Sequence, residues 1–180
     1  SDGMINGDYR RYRDGVLRES GIYAKGKRNS TFTEYYQDGV TPRKETPMQQ
    51  GKIDGTVKTY FRNGKIEAEK EYKQSVESGR ERRFDSKTGE QIFESHYIDG
   101  KKDGEEWEIF EDASTLRSRI IRHYRNGKLD GSYRVESTRD GKPYITIEGQ
   151  YTDGEKSGQW IEHNYDNNTQ TCTWHGEGGA

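Results

Sequence analysis

Four carboxylates crowd one short stretch, YIDGKKDGEEW, Tyr97 to Trp107: Asp99, Asp103, Glu105 and Glu106. Hard cations take several oxygen ligands, so the first chemistry to weigh is calcium binding. The order of ligands in a helix–loop–helix calcium site is absent. The equivalent turns, this one included, carry Lys52, Lys101, Lys128 and Lys156, whose charge repels a cation. Asp-Gly and Asn-Gly pairs, by contrast, favour tight turns, because Gly accepts positive φ and Asn or Asp tolerates it. The stretch reads as a turn.

Other local patterns resolve the same way. GIYAKGKR, Gly21 to Arg28, begins like a phosphate loop. The Ser or Thr that should follow the lysine is Arg28, and no strand–loop–helix surrounds it, so no nucleotide site is expected. Cys172 and His175 have C-x-x-H spacing. A structural zinc needs four ligands, and no second pair lies nearby. Neither a metal nor a cofactor is therefore expected. His96, His123 and His163 fall one to a segment, at strand positions open to water; pH-sensitive surface groups are the alternative.

Nothing marks a nucleophile, a base and an orienting group brought together. A paired-carboxylate glycosidase needs an enclosed pocket that a repeat sheet rarely builds. The chain reads as non-enzymatic. Arg80, Arg82 and Arg83, then Arg117, Arg119, Arg122 and Arg125, are interleaved with aromatics, as on a platform for single-stranded nucleic acid. Glu-rich neighbouring segments dilute that field, so cross-strand Arg–Glu pairing is expected and nucleic acid is not.

The composition limits the elements that can hold these groups. Of 180 residues only 27% are hydrophobic, mean hydropathy is -1.35, and Leu17, Leu116 and Leu129 are the only leucines. Such a chain cannot bury a thick aliphatic core. Disorder is disfavoured by a net charge of only -2 and by 13 Tyr and 3 Trp. A thin structure held by backbone hydrogen bonds and aromatic rings fits best. No apolar run approaches the ~20 residues of a membrane helix. The single Cys172 excludes an internal disulfide.

The turn recurs. QGKIDGT (Gln50 to Thr56), NGKLDGS (Asn126 to Ser132) and DGEKSGQ (Asp153 to Gln159) repeat the pattern, and Tyr97, Tyr124 and Tyr151 each stand three residues before its first Gly. A second turn lies inside the units, at Arg13–Gly15, Gln37–Gly39, Arg62–Gly64, Lys87–Gly89 and Arg139–Gly141. About seven units begin near Gly7, Thr31, Gly55, Gly79, Gly104, Gly131 and Gly158, at steps of 24 to 27 residues. A period of this size marks one repeat domain over residues 1–180. Between turns the residues alternate: Ile145, Ile147, Gly149 and Tyr151 on one face, Thr146, Glu148 and Gln150 on the other. Period two is the strand signature.

The expected fold is all-β, a repeat array of antiparallel hairpins in an elongated, twisted meander of about 13 or 14 strands. Gly21, Ala68, Ser95 and Gly149 would make room for rings from neighbouring strands. Pro42 and Pro47 cannot donate to a ladder, so Thr41 to Pro47 reads as an edge or a bulge. Asp112 to Arg122 reads as a longer turn plus a strand, and the last unit lacks its turn glycine at Asp166 to Asn168.

These residues resemble the MORN repeat, and more closely its longer variant in the bacterial YwqK-type antitoxin-component proteins. GTVKTYFRNGKIEAEKEYKQSVESG, Gly55 to Gly79, is the nearest copy, and GDYRRYRDGVLRESGIYAKGK, Gly7 to Lys27, is close. The resemblance covers almost the whole chain. It implies a β-hairpin scaffold for protein–protein or membrane-associated contacts, antitoxin- or immunity-like. SDGMING aligns with the unit boundary, which places Met4 inside a repeat and the first residue in mid-turn. That alignment suggests an upstream segment, a signal or anchor, and an exported, envelope-associated protein.

The expected partner is a protein. Candidate contact residues are the aromatics near unit starts: Tyr12, Tyr36, Tyr60, Trp107, Tyr133 and Trp160. Aromatics dominate interface hot spots. The same rings are also the natural packing groups of the sheet, which is the competing reading for at least half of them. Envelope polysaccharide binding is the alternative function. Membrane association through basic strands is the weakest, given mixed surface charge. An uncovered sheet edge is a template for association, which leaves an edge-mediated homodimer open beside the protein partner.

Overall fold

The computed structural model describes residues 3–111, 117–139, 142–164 and 168–176. These residues form strands and turns, with no helix. The turn of the opening segment shows why. Asp99 and Gly100 take φ of 48° and 79°, and the same succession of two positive values recurs at Asp14–Gly15, Lys25–Gly26, Asn126–Gly127 and Asp153–Gly154. Two positive φ values in a row define the turn whose twist matches paired strands. The repeated Asp-Gly and Asn-Gly pairs thus fold the chain back on itself.

The chain divides into two compact units, Ser1–Gln91 and Ile92–Ala180. The first holds β1 (Gly7–Arg13), β2 (Val16–Ala24), β3 (Lys27–Arg28), β4 (Thr31–Tyr35), β5 (Pro42–Gln49), β6 (Lys52–Ile53), β7 (Gly55–Tyr60), β8 (Ile66–Lys73) and β9 (Val76–Phe84). At the boundary lies β10 (Gln91–Ile98). The second unit continues with β11 (Lys101–Lys102), β12 (Gly104–Glu111), β13 (Arg117–Arg125), β14 (Lys128–Arg139), β15 (Lys142–Thr152), β16 (Glu155–Asn164) and β17 (Thr169–His175). Each unit is an antiparallel meander in which successive long strands pair. Of the 17 described strands, β3, β6 and β11 are two-residue arms of turns, which leaves 14 long strands, as the repeat count predicts.

Of the two readings of the segment with Pro42 and Pro47, an edge or a bulge, the structure has the bulge: β5 pairs with β4 on one side and with β7 on the other, and the register shifts beside Pro42. Pro42 opens the strand at a register shift, opposite Tyr35, and Pro47 lies opposite Thr31, where β4 begins. Neither proline removes a donor from the middle of the pairing. Ala68 lies between Thr59 and Arg83. Residues 112–116 and 165–167 lie outside the described residues, so of those two expectations only the strand at Arg117–Arg125 is seen.

Buried apolar side chains are few: Phe32, Val57, Phe93, Ile121, Val135 and Trp160 among the described residues. Packing works along rows that cross the strands. In the first unit Tyr9 lies opposite Gly21, the Phe32 ring fills the space over Gly21, and Phe32 lies opposite Thr46. Farther along, Val57 faces Lys70 and Lys70 faces Glu81. The second unit repeats the row with Glu106, Arg122, Tyr133, Gly149 and Trp160. A Cβ on Gly149 would lie 2.3 Å from the Trp160 ring, so only glycine fits there.

Candidate functional site

Cross-strand partners share a sheet face, so each unit has an inner face carrying this row and an outer face carrying the residues between. The inner face uses its own chemistry on itself. Tyr9, Tyr23 and Phe32 form a trio with centroids 5.3 to 5.9 Å apart, and the Arg28 guanidinium caps Phe32 at 4.2 Å. Tyr133, Tyr151 and Trp160 form its counterpart at 5.2 to 5.7 Å, capped by the Lys156 ammonium 4.1 Å above Trp160. Where the row has no aromatic it has an ion pair. Lys70 Nζ meets Glu81 at 3.0 Å. Glu106, 1% exposed, is held by Lys102, by Arg122 Nε at 3.5 Å and by the Tyr124 hydroxyl at 3.4 Å. Removing either partner of such a pair would leave a buried charge uncompensated.

The six candidate aromatics separate accordingly. Trp160 is 5% exposed, and its indole N–H donates to the Gln150 carbonyl at 3.1 Å. Tyr133 packs against it, and burial raises the Tyr133 phenol pKa. Tyr36 and Tyr60 come together: the Tyr36 hydroxyl donates to the Tyr60 carbonyl at 2.5 Å, and the Tyr60 hydroxyl donates to Glu45 at 2.6 Å. Burial and that carboxylate push the Tyr60 phenol up to about 12. Trp107 is half-buried under the Arg119 guanidinium, 4.6 Å from its ring centre. Tyr12 is open to solvent, at 56% exposure.

Asp103 and Glu106 of the opening segment have structural partners. Asp103 accepts the backbone N–H of Asn126 at 3.0 Å, as Asn6 accepts that of Lys25 at 2.6 Å and Asn29 that of Gln50 at 3.1 Å. Each is a bond from one turn to the turn one repeat later. No group of three or more His, Cys, Asp or Glu among the described residues is placed to hold a metal ion. Arg–Glu pairing across strands is extensive, for example Arg82 to Glu69 at 2.8 Å and Arg122 to Glu108 at 3.1 Å.

The outer face is different. In the second unit a shallow groove of about 680 Å³ runs over the backbone of Gly149, behind the aromatic trio. Glu105, His123, Arg134, Glu148, Gln150, Gln159 and Ile161 line it, and Trp174 stands at its side, 74% exposed. His123 lies 3.7 Å from Glu105, and His163 lies 3.0 Å from Glu148. Arg134 is turned to Glu136 at 2.9 Å. The first unit has an equivalent groove of about 510 Å³ over Gly21, with Asp8, Arg10, Tyr12, Ser20 and Ile22. Trp174 and these grooves were not singled out from sequence. Their signal is the in-strand glycine eleven residues before an aromatic, Gly21 before Phe32 and Gly149 before Trp160.

Compared with protein-family models and with curated proteins, the sequence matches none.

Proposed function

We propose that the chain is a non-catalytic MORN-like repeat scaffold, of the YwqK-type variant, that binds another protein through the outer face of its sheet. The observation that carries this reading is the contrast between the faces. The inner row satisfies its own rings and charges, whereas the outer groove of the second unit keeps a large aromatic and two half-exposed carboxylates turned to solvent. Exposed aromatics in a polar surround are what protein interfaces use as anchors. The family resemblance extends the reading to an antitoxin- or immunity-like protein, with a polypeptide target.

The test is affinity capture on the whole chain from lysate and envelope fractions, read by mass spectrometry. One stoichiometric polypeptide, confirmed with the purified partner, is the expected result. A second reading, an exported polysaccharide-binding repeat protein, is favoured by Trp174 beside Gln150 and Gln159, a flat ring next to planar hydrogen-bonding groups. Retention on cell-wall glycan without any protein partner would select it.

A further inference from the structure

The last strand of the second unit, β17, differs from every other strand described. Its sequence, TQTCTWH, holds no Lys, Arg, Asp or Glu and no Pro or Gly, in a chain that is 34% charged. Each of the other described strands carries at least one such charge. β17 pairs with β16 from Thr169 to His175 without a register shift, and no other described strand of the unit pairs with it. From Gln170 to Trp174 its far side is a straight, uncharged edge, and such an edge is a template for another strand. The first strand of the first unit, β1, also has one long neighbour there, β2, but it is guarded. Arg10, Arg11 and Arg13 stand along it, and a register shift breaks it at Arg11.

Side chains in this sheet are covered by neighbours on both sides along a row. Trp160 lies between Thr173 and the Gly149 backbone and is 5% exposed. Trp174 lies opposite Gln159 on one side only and is 74% exposed. What it lacks is a strand beyond β17. The composition of β17 points to its own copy, because self-pairing sets no like charges against each other. The long strands of each unit pair antiparallel, as two copies related by a two-fold axis do. We infer that β17 pairs antiparallel with β17 of a second copy and joins two chains into a closed dimer. Full overlap puts the axis at Cys172, midway between Thr169 and His175. Cys172 then lies opposite Cys172 of the second copy, Thr171 opposite Thr173, and Gln170 opposite Trp174. Threonine pairs directly across strands are favourable. The axis is perpendicular to the sheet, so the two outer grooves face the same way and a bound protein can engage both. A head-to-tail contact of β17 with β1 would grow into filaments, and the broken register of β1 opposes it.

The measurement is sedimentation velocity of the whole chain across micromolar concentrations, with Cys172 as reporter. The expected species has twice the 20.9 kDa mass of the chain. Directly opposite residues are about 4.5–5.5 Å apart between Cα atoms. Cys172 is the only cysteine, so a short bismaleimide joins the two copies there and nowhere else. Cys172→Lys sets like charges opposite each other and weakens the dimer about fivefold, as does Cys172→Glu. A tagged Cys172→Lys chain mixed with untagged Cys172→Glu regains the lost affinity and retains the untagged chain. Arg13→Glu, on β1, leaves the dimer unchanged. Cys172 is exposed and lies opposite Ile161 within its own chain, and a far-ultraviolet spectrum confirms that each variant is folded. A monomer at every concentration, or filaments that lengthen with concentration, would overturn the inference. So would a dimer that is not cross-linked through Cys172, or a mixture of the two charged variants that regains nothing. The scaffold reading fails separately, when the whole chain captures no protein partner whatever its own mass in solution.

Discussion

The Asp103 carboxylate accepts the backbone N–H of Asn126 at 3.0 Å, joining one hairpin turn to the next across a full repeat. The following residue completes the link, since the Gly127 N–H donates to the Lys102 carbonyl at 2.8 Å. What looks in the sequence like a ligand cluster is a side chain that satisfies the open backbone of its neighbour's turn.

Asp103→Ala leaves the Asn126 N–H without that acceptor and is expected to cost about 1 kcal/mol, the usual net value of one hydrogen bond. Asp103→Asn keeps an acceptor, as Asn6 and Asn29 do in the first unit, and is expected to stay near the original stability. Urea denaturation of the three proteins compares them. An unchanged midpoint for Asp103→Ala would show that the bond contributes nothing.

Gly149 and Trp160 are expected to behave as one device. Gly149→Ala drives a methyl group into the indole, with a cost of roughly 1–3 kcal/mol for overpacking. Trp160→Ala removes a buried ring and is expected to cost about 3 kcal/mol or more. The double substitution should cost less than the sum, because the alanine methyl then has space. Strict additivity in a denaturation cycle would mean that the two side chains do not meet.

Glu106 tests the charged version of the same row. Glu106→Gln keeps the shape but leaves Arg122 and Lys102 facing a neutral amide in a site that is 1% exposed. Loss of one member of a buried pair costs roughly 3–5 kcal/mol. Arg43→Gln, whose partner Glu34 is at the surface, is expected to change stability by less than about 1 kcal/mol. The ranking of the two midpoints in urea decides the matter.

Tyr60 gives a pH signature. Its folded pKa is pushed up to about 12, from 10.0, by burial first and then by the hydrogen bond to Glu45. The protonated phenol is therefore favoured by folding. Its contribution is fully present below pH 10 and is lost as pH rises through about 12. Absorbance at the phenolate band should show a late-titrating tyrosine that is absent in Tyr60→Phe. An unchanged late step in that variant would assign it elsewhere.

The repeat, the turns and the strands were legible because Asp-Gly and Asn-Gly pairs announce two positive φ values and because Ile145 to Tyr151 alternates with period two. Burial was less legible. In a sheet without a second layer a side chain is covered by its neighbours in the row, and those belong to other strands. Trp160 therefore looks in the sequence like an exposed unit-start aromatic, and becomes buried because Gly149, Tyr133 and Tyr151 surround it. Glu106 looks like a turn charge, and becomes the most buried carboxylate among the described residues because the register sets Arg122 opposite it. Trp174 was passed over because it sits beyond the unit-start position, in β17, where the alternation alone gives no sign that a groove lies alongside.

The small number of buried apolar side chains reaches beyond packing. Unfolding changes heat capacity through newly wetted surface: apolar area raises it and polar area lowers it. A chain with six buried apolar residues among those described, and rows closed largely by Lys, Arg and Glu, exposes little of the first and much of the second. Its heat-capacity increment per residue should fall below the ~12–15 cal/mol/K of ordinary domains. The stability of this protein would then vary with temperature along a broad, shallow curve, losing little in the cold, where proteins with thick oily interiors begin to weaken.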